Sequence, residues 1–378
     1  MKEVKVRTGC LPNSLTTWAV AILLVIGVLP AVAQQDDPVI GDKPLSVLLK
    51  QLRSENRGLQ VRAARILSDA PAELRSKIAP KVMPLLKSER ENDRFVAAQF
   101  LGECGPVAGS AVPDLLPMLK GTQYERNRAA AAKALGQILK DSPPGEEIDK
   151  VTAKLIEVFE DGYEDVRREA VNSCGMIGPA AKSCIPHLAA RLKEQSSYQP
   201  NPVAMAAAWT CERMGPLAKE HVDLLITLMH RVMGYTPAYV SALGGIGPLQ
   251  KNIVPNILDN MEQYTSFGVE FWAVLEKFGP QADVAMPFTK KFLSLPWSSG
   301  RFEQQFRARI AALKFVQAVG PSGRTALPEV KELSQVPQQW IDGRASSWSL
   351  DAAVMKDLGE RLRTEATKAL VIFSGGAE

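Results

Sequence analysis

The sequence predicts an all-α fold, a right-handed α-solenoid of about nine helical hairpins. Three observations carry this: a Gly-Pro pair that recurs at a near-constant interval, a second proline a fixed distance beyond it, and apolar residues that align on one helical stripe. The pair stands at Gly105-Pro106, Gly178-Pro179, Gly215-Pro216, Gly247-Pro248, Gly279-Pro280 and Gly320-Pro321, at intervals of 73, 37, 32, 32 and 41 residues. The first interval spans two repeats, with Ser142-Pro143 in the gap, and Ala70-Pro71 extends the series upstream by 35.

The chain opens on a different pattern. Lys2, Lys5 and Arg7 precede an apolar run from Trp18 to Leu29, followed by Pro30 and Ala31-Val32-Ala33. A basic start, an apolar centre and a small-x-small site make a secretory signal peptide over residues 1–33. Such a run forms roughly 18 Å of helix, short of the ~30 Å hydrocarbon core of a bilayer, so cleavage after Ala33 is expected rather than an anchor. The expected product starts at Gln34, has no stable membrane insertion, and is exported to the periplasm or the medium. Residues 34–43 read as a short linker, and residues 44–378 as one solenoid with an irregular C-terminal cap over about 334–378.

Within the solenoid each element has a physical reason. The glycine of the pair takes a left-handed cap at the end of one helix, and its proline stops that helix. The second proline, Pro113, Pro186, Pro255, Pro287 or Pro328, sits in the first turn of the next helix, where a missing N–H costs nothing. Five residues before the first proline stand Leu101, Cys174, Cys211, Leu243, Leu275 and Val316; two before stand Cys104, Ile177, Met214, Ile246, Phe278 and Val319. On the following helix, Val112, Leu115 and Leu119, then Ile185, Leu188 and Leu192, then Val222, Leu225 and Met229, then Val254, Ile257 and Met261, make one stripe of period 3.6. Hairpins are expected to begin near Pro44, Ile78, Ala111, Ile148, Ile185, Val222, Val254, Met286 and Leu327. A polar stretch from Gln338 to Ser349 precedes a closing helix from about Leu350 to Phe373. Lys50, Arg53 and Glu55 at one end, and Glu360, Arg361, Arg363 and Glu365 at the other, are candidate polar caps.

Asp165-Val166-Arg167 leading into Ala170 and Cys174-Gly175, Arg94 before Ala97 and Leu101-Gly102, and Arg128 before Ala131 and Leu135-Gly136 resemble the second-helix pattern of HEAT repeats. The likeness is greatest to the short bacterial HEAT-like type also found in phycobilin lyases. It covers about residues 44–333 and degenerates after the first four repeats. It implies a superhelix of the HEAT/ARM type and a scaffold whose concave surface binds a protein partner. Arg94, Arg128 and Arg167, with Arg309 in the eighth repeat, share one position, and in HEAT arrays such a ladder ties neighbouring repeats through acidic or carbonyl groups.

Composition and motifs restrict the chemistry. With 45 basic and 41 acidic residues the formal charge is +4, falling to +2 once residues 1–33 are removed, which does not favour nucleic-acid binding. Cys10 belongs to the signal segment. Cys104, Cys174 and Cys211 fall in core columns and read as small buried hydrophobes, with Cys184 the one bridge candidate for Cys174. His187, His221 and His230 form no His-Glu dipeptide and no i, i+4 pair, so they read as exposed helix surface rather than metal ligands. Gly244-Gly245-Ile246-Gly247 lacks the Lys-Ser/Thr of a phosphate loop. The acidic pairs Glu146-Glu147 and Glu160-Asp161 read as solvated. The expectation is a non-enzymatic protein with no cofactor and no metal.

The middle of the array departs from its own consensus. The column of Ala97, Ala131, Ala170 and Ala207 becomes Tyr239 and Phe271, and residues 232–250 carry no charge. Two readings stand: a repacked core in degenerate repeats, or an uncharged aromatic patch that contacts the partner through Tyr235, Tyr239, Tyr264 and Trp272. Other functions left open are a small-ligand protein of the bilin-lyase kind and a membrane-tethered envelope component with an uncleaved N-terminus.

Overall fold

In a computed structural model the structure describes residues 37–194, 201–231, 236–264, 268–297, 301–347 and 350–374. The signal-peptide segment and Tyr235 lie outside these residues, as does the side chain of Tyr264. No described helix is long and apolar enough to cross a membrane.

The described residues divide into two compact units at the boundary between Leu67 and Ser68. In the first, strand β1 (Val39–Ile40) pairs antiparallel with β2 (Lys43–Pro44), so part of the expected linker is a small hairpin. Gly41 turns it with φ +65°, a value that favours glycine. Helix α1 (Leu45–Leu52) follows, capped by Asp37, whose Oδ1 accepts from the Ser46 amide at 2.9 Å. Helix α2 (Arg57–Ser68) is started by Asn56, whose Oδ1 accepts from Gly58 N at 2.9 Å and Leu59 N at 3.2 Å. Leu45, Leu48 and Leu52 of α1 and Ala63, Ala64 and Leu67 of α2 are buried.

The second unit is a succession of helix pairs: α3 (Ala72–Val82) with α4 (Glu91–Cys104), α5 (Val112–Leu115) with α6 (Glu125–Ile138), α7 (Glu146–Val158) with α8 (Glu164–Ile177), and α9 (Ile185–Leu192) with α10 (Pro202–Met214). Then come α11 (Val222–Arg231) with α12 (Thr236–Ile246), α13 (Ile253–Tyr264) with α14 (Val269–Phe278), and α15 (Met286–Leu293) with α16 (Phe302–Ala318). Helices α17 (Leu327–Ser334), α18 (Gln338–Ser347) and α19 (Ala352–Ser374) close the unit. The architecture is the expected α-solenoid. The polar stretch from Gln338 is helical rather than irregular, held by buried Ile341 and Ala345. The second hairpin starts at Ala72, directly after Pro71, and not near Ile78.

Every residue of the two aligned core columns and of the first-helix stripe is buried. All six glycines of the Gly-Pro pairs have positive φ, between 56° and 94°. At Gly105, Gly178, Gly215 and Gly279 ψ lies between −131° and −148°, so the cap is not left-handed helical but a region open almost only to glycine. The proline then begins a short 3₁₀ turn. Within that turn Ala108, Ala181, Ala218 and Ala282 bend the chain into the next helix with ψ between 17° and 26°.

The second helices pack in file, α4 on α6, α6 on α8, and so on through α16 to α19. Close approach needs small residues. A Cβ on Gly136 would lie 2.6 Å from Ser173 Cα, and one on Gly175 would lie 2.5 Å from the Trp209 ring. The hydroxyl facing each glycine completes the joint: Ser173 Oγ is 2.7 Å from the Ala132 carbonyl of α6, and Thr210 Oγ1 is 2.9 Å from the Val171 carbonyl of α8.

Candidate partner-binding surface

Each arginine of the ladder closes the turn before its own helix, and two of the four, Arg128 and Arg167, also tie neighbouring repeats. Arg94 donates to the Ser88 carbonyl at 2.7 Å and the Glu89 carbonyl at 2.8 Å, closing the turn before its own helix. Arg128 closes its turn on the Gln123 carbonyl and reaches into the next hairpin, where it grips Asp161 with two bonds of 2.7 and 2.8 Å. Arg167 repeats the arrangement with the Asp161 carbonyl at 2.8 Å and the Glu194 carboxylate. Burial pushes the Asp161 carboxyl up. The Arg128 hydrogen bonds, the Tyr163 amide and the charges of Arg128 and Arg167 outweigh that and hold it below the usual carboxylate range. Asp161 is therefore part of the scaffold, where the sequence reading had it solvated. These guanidinium groups are spent on the fold and form no anion-binding stripe.

The titratable core has the same character. Cys104, Cys174, Cys184 and Cys211 are buried free thiols, and Cys174 hydrogen-bonds with Cys184 rather than bridging to it. Burial pushes Cys104 up to about 12 and raises Cys174 and Cys211, which keeps them protonated and unreactive. His221 is buried, not exposed, and its Nε2 donates to the Ile185 carbonyl at 2.7 Å. No group of three or more His, Cys, Asp or Glu among the described residues could hold a metal ion.

Tyr239 and Trp272, for which a core reading and a partner-patch reading both stood, are both 0% exposed. They belong to a repacked core. Trp272 packs against Phe292 at 4.9 Å between ring centroids, Phe288 at 6.1 Å and Phe315 at 6.2 Å. For Trp272 the physical reason is the set of phenyl rings that α15 and α16 place around it.

The apolar surface lies one hairpin earlier. On α10, Met205 is 44% and Trp209 37% exposed, one helical turn apart. The absence of a side chain at Gly175 of α8 lets the indole edge pack against that helix, and 37% of the residue stays exposed. On the far side α12 offers exposed Pro237 and half-buried Ser241 and Gly245, none of them charged. Trp209 and Met205 stand seven and eleven residues before their Gly-Pro proline. Other repeats place Gln99, Lys133 and Asn172, or Phe95, Ala129 and Arg168, at the corresponding positions. A tryptophan in a column of polar residues was the signal that could have found this surface.

Toward the N-terminal side the same face forms a charged cleft of about 330 Å³ across α4, α6 and α8. Arg126 lies 4.3 Å over the Phe95 ring and 3.5 Å from Glu91. Arg168 bonds Asp165 at 2.6 Å and Glu169 at 2.9 Å. The face thus changes from balanced ion pairs to an exposed indole and thioether, with Glu212 of α10 against Gly245 at the end of the strip.

Comparison with known proteins agrees with this architecture. The sequence profile of the HEAT repeats matches residues 45–143. No curated protein sequence matches the chain. Among solved structures, importin beta superposes with a TM-score of 0.62 at 13% identity, covering 87% of this chain and 46% of that one. The karyopherin Kap121p, solved bound to the SUMO protease Ulp1p, gives a TM-score of 0.55 at 13% identity over 88% of this chain and 44% of that one. The chain therefore spans less than half the length of these solenoids. At such identity the likeness establishes the fold alone.

Proposed function

We propose that the chain is an exported, non-enzymatic scaffold that binds a protein partner along the face formed by its second helices. The observation that carries this reading is the Trp209–Met205 surface: an exposed indole packed against Gly175 beside a flexible thioether, with uncharged Pro237 and Ser241 on the neighbouring second helix. That is the composition of an interface centre, where tryptophan anchors dominate and charge is depleted. The fold supports it, because related solenoids were solved with protein ligands, Kap121p with Ulp1p and with the extreme C-terminus of the phosphatase Cdc14p. Export rests on residues 1–33, read from sequence.

Photo-cross-linking tests the surface. A benzophenone amino acid placed at Met205 is expected to give a discrete adduct in the cell envelope, lost on Trp209→Ser, while the same probe at Lys182 gives none. Equal adducts at both positions, or an adduct indifferent to Trp209→Ser, refutes the reading. The intact mass of the purified native protein checks export, with a chain beginning at Gln34 expected.

A further inference from the structure

A cleft of about 620 Å³ lies away from the second-helix face, between the first helices of two neighbouring hairpins. Its origin is a proline. Pro117 cannot supply an N–H, so the segment after α5 passes into a 3₁₀ turn, Leu116–Leu119, while the adjacent first helix α7 runs unbroken from Glu146 to Val158. A short, broken element beside a full-length one leaves a notch. Leu116, Leu119, Val158 and Pro117 form its apolar walls.

The rim carries Lys120, Lys150, Lys154, Glu157, Glu160 and Asp161. Each carboxylate already has a cation of its own. Asp161 is held by Arg128 at 2.7 Å, Glu157 by Lys154 at 2.6 Å and Glu160 by Arg191 at 3.2 Å. Lys120 and Lys150 have no ion-pair partner among the described residues, so the cleft presents two uncompensated ammonium groups above an apolar floor. Its size falls within the ~300 to 1,000 Å³ of small-molecule sites.

We infer that this cleft binds a small amphipathic anion, an apolar body carrying one carboxylate or sulfonate head, with Lys120 and Lys150 receiving the head and Leu116, Leu119 and Val158 the body. A charged head gains from two ammonium groups at the rim of the cleft, and the apolar walls reward a hydrocarbon or aryl tail. A purely ionic ligand would leave those walls wet, and a neutral one would leave both lysines without a counter-charge. The inference is independent of the partner surface, which lies on other helices.

The test uses anilinonaphthalene sulfonate as a fluorescent probe on the full chain, with decanoate and decanol as competitors. Saturable binding is expected, displaced by decanoate and not by decanol. Lys120→Gln with Lys150→Gln is expected to weaken decanoate about tenfold or more, the worth of one to two charge-assisted hydrogen bonds. Gly121→Trp should block the cleft, since a Cβ at Gly121 meets nothing within 4 Å and the side chain enters open space. Circular dichroism melts of the variants matching wild type keep the comparison clean. Probe binding untouched by both the lysine pair and Gly121→Trp, or displaced equally by decanol and decanoate, overturns the assignment.

Discussion

Arg128 and Arg309 occupy one position of the repeat and live in opposite surroundings. Arg128, 7% exposed at its side chain, closes its own turn and holds Asp161 of the next hairpin with a two-pronged grip. Arg309 is 0% exposed, donates to the Leu295 carbonyl at 2.5 Å, and has no carboxylate partner among the described residues. Its guanidinium lies instead 4.0 Å over Trp297 and 5.6 Å from Phe292, in a cluster where Trp297 also meets Phe306 at 4.4 Å and Trp340 at 5.7 Å. The shared element is the carbonyl of the preceding turn, which every arginine of the ladder takes. What differs is the far side of the guanidinium, filled by charge in the early repeats and by aromatic rings in the eighth. The repeat therefore specifies a turn-closing arginine, and the neighbouring hairpin decides whether it also becomes a tie.

The comparison breaks most sharply at Arg128. Arg128→Met leaves Asp161 buried without its cation and is expected to cost about 3 kcal/mol, the usual penalty for stripping one partner from a buried pair. Denaturant unfolding followed by circular dichroism measures it. The pH dependence has a definite sign. The Asp161 carboxyl is depressed below its ordinary 3.8, so its contribution is complete above that value and disappears as pH falls through the lowered one. Asp161→Asn should therefore be destabilising at neutral pH and converge on wild type in acid; a constant gap down to the lowest pH would show that the carboxylate charge is not what holds the joint.

A second, smaller effect separates packing from charge. Gly136→Ala puts a methyl 2.6 Å from the Ser173 backbone and is expected to cost about 2 kcal/mol by forcing α6 and α8 apart. Gly121→Ala, where a Cβ meets nothing within 4 Å, should change little. If the two variants melted alike, close approach of the second helices would not be the basis of the joint.

These joints explain what the sequence reveals and what it hides. Helix order and core register were legible because Gly-Pro pairs punctuate the chain and Leu243, Leu275 or Val316 repeat a spacing that local physics enforces. The recurrence of the arginine position was legible too, but its tie to the neighbouring repeat holds only for Arg128 and Arg167, and the turn-closing role all four share was not read from the sequence. Tyr239 and Trp272 could be read as core or as surface, because a large aromatic in a degenerate repeat has two outcomes, and the choice depends on the surrounding rings, as with Phe288, Phe292 and Phe315 around Trp272. That is a property of packed neighbours, not of spacing. Trp209 was overlooked although its column is polar in neighbouring repeats, because the Gly175 that accepts its ring edge lies one repeat earlier in the chain. Trp340 likewise joins Trp297 and Phe302 across about forty residues of sequence, a distance over which periodicity carries no information.

The smallest expected effect is the most discriminating. Arg309→Met keeps the length and apolar stem of the side chain and removes the charge. Burial lowers the Arg309 pKa from 12.5 to about 10, so the folded state disfavours the charged form, and near neutral pH that penalty is fully present. Nε and Nη1 have no hydrogen-bond partner among the described residues, so the penalty is offset only by the Leu295 carbonyl and the Trp297 ring. A thioether beside Trp297 retains a favourable sulfur–aromatic contact. Arg309→Met is thus expected to fall within about 1 kcal/mol of wild type, on either side, where Arg128→Met loses several times more. A loss at Arg309 equal to that at Arg128 would mean that closing the turn, the one contact the two share, outweighs both the ion pair and the aromatic stack.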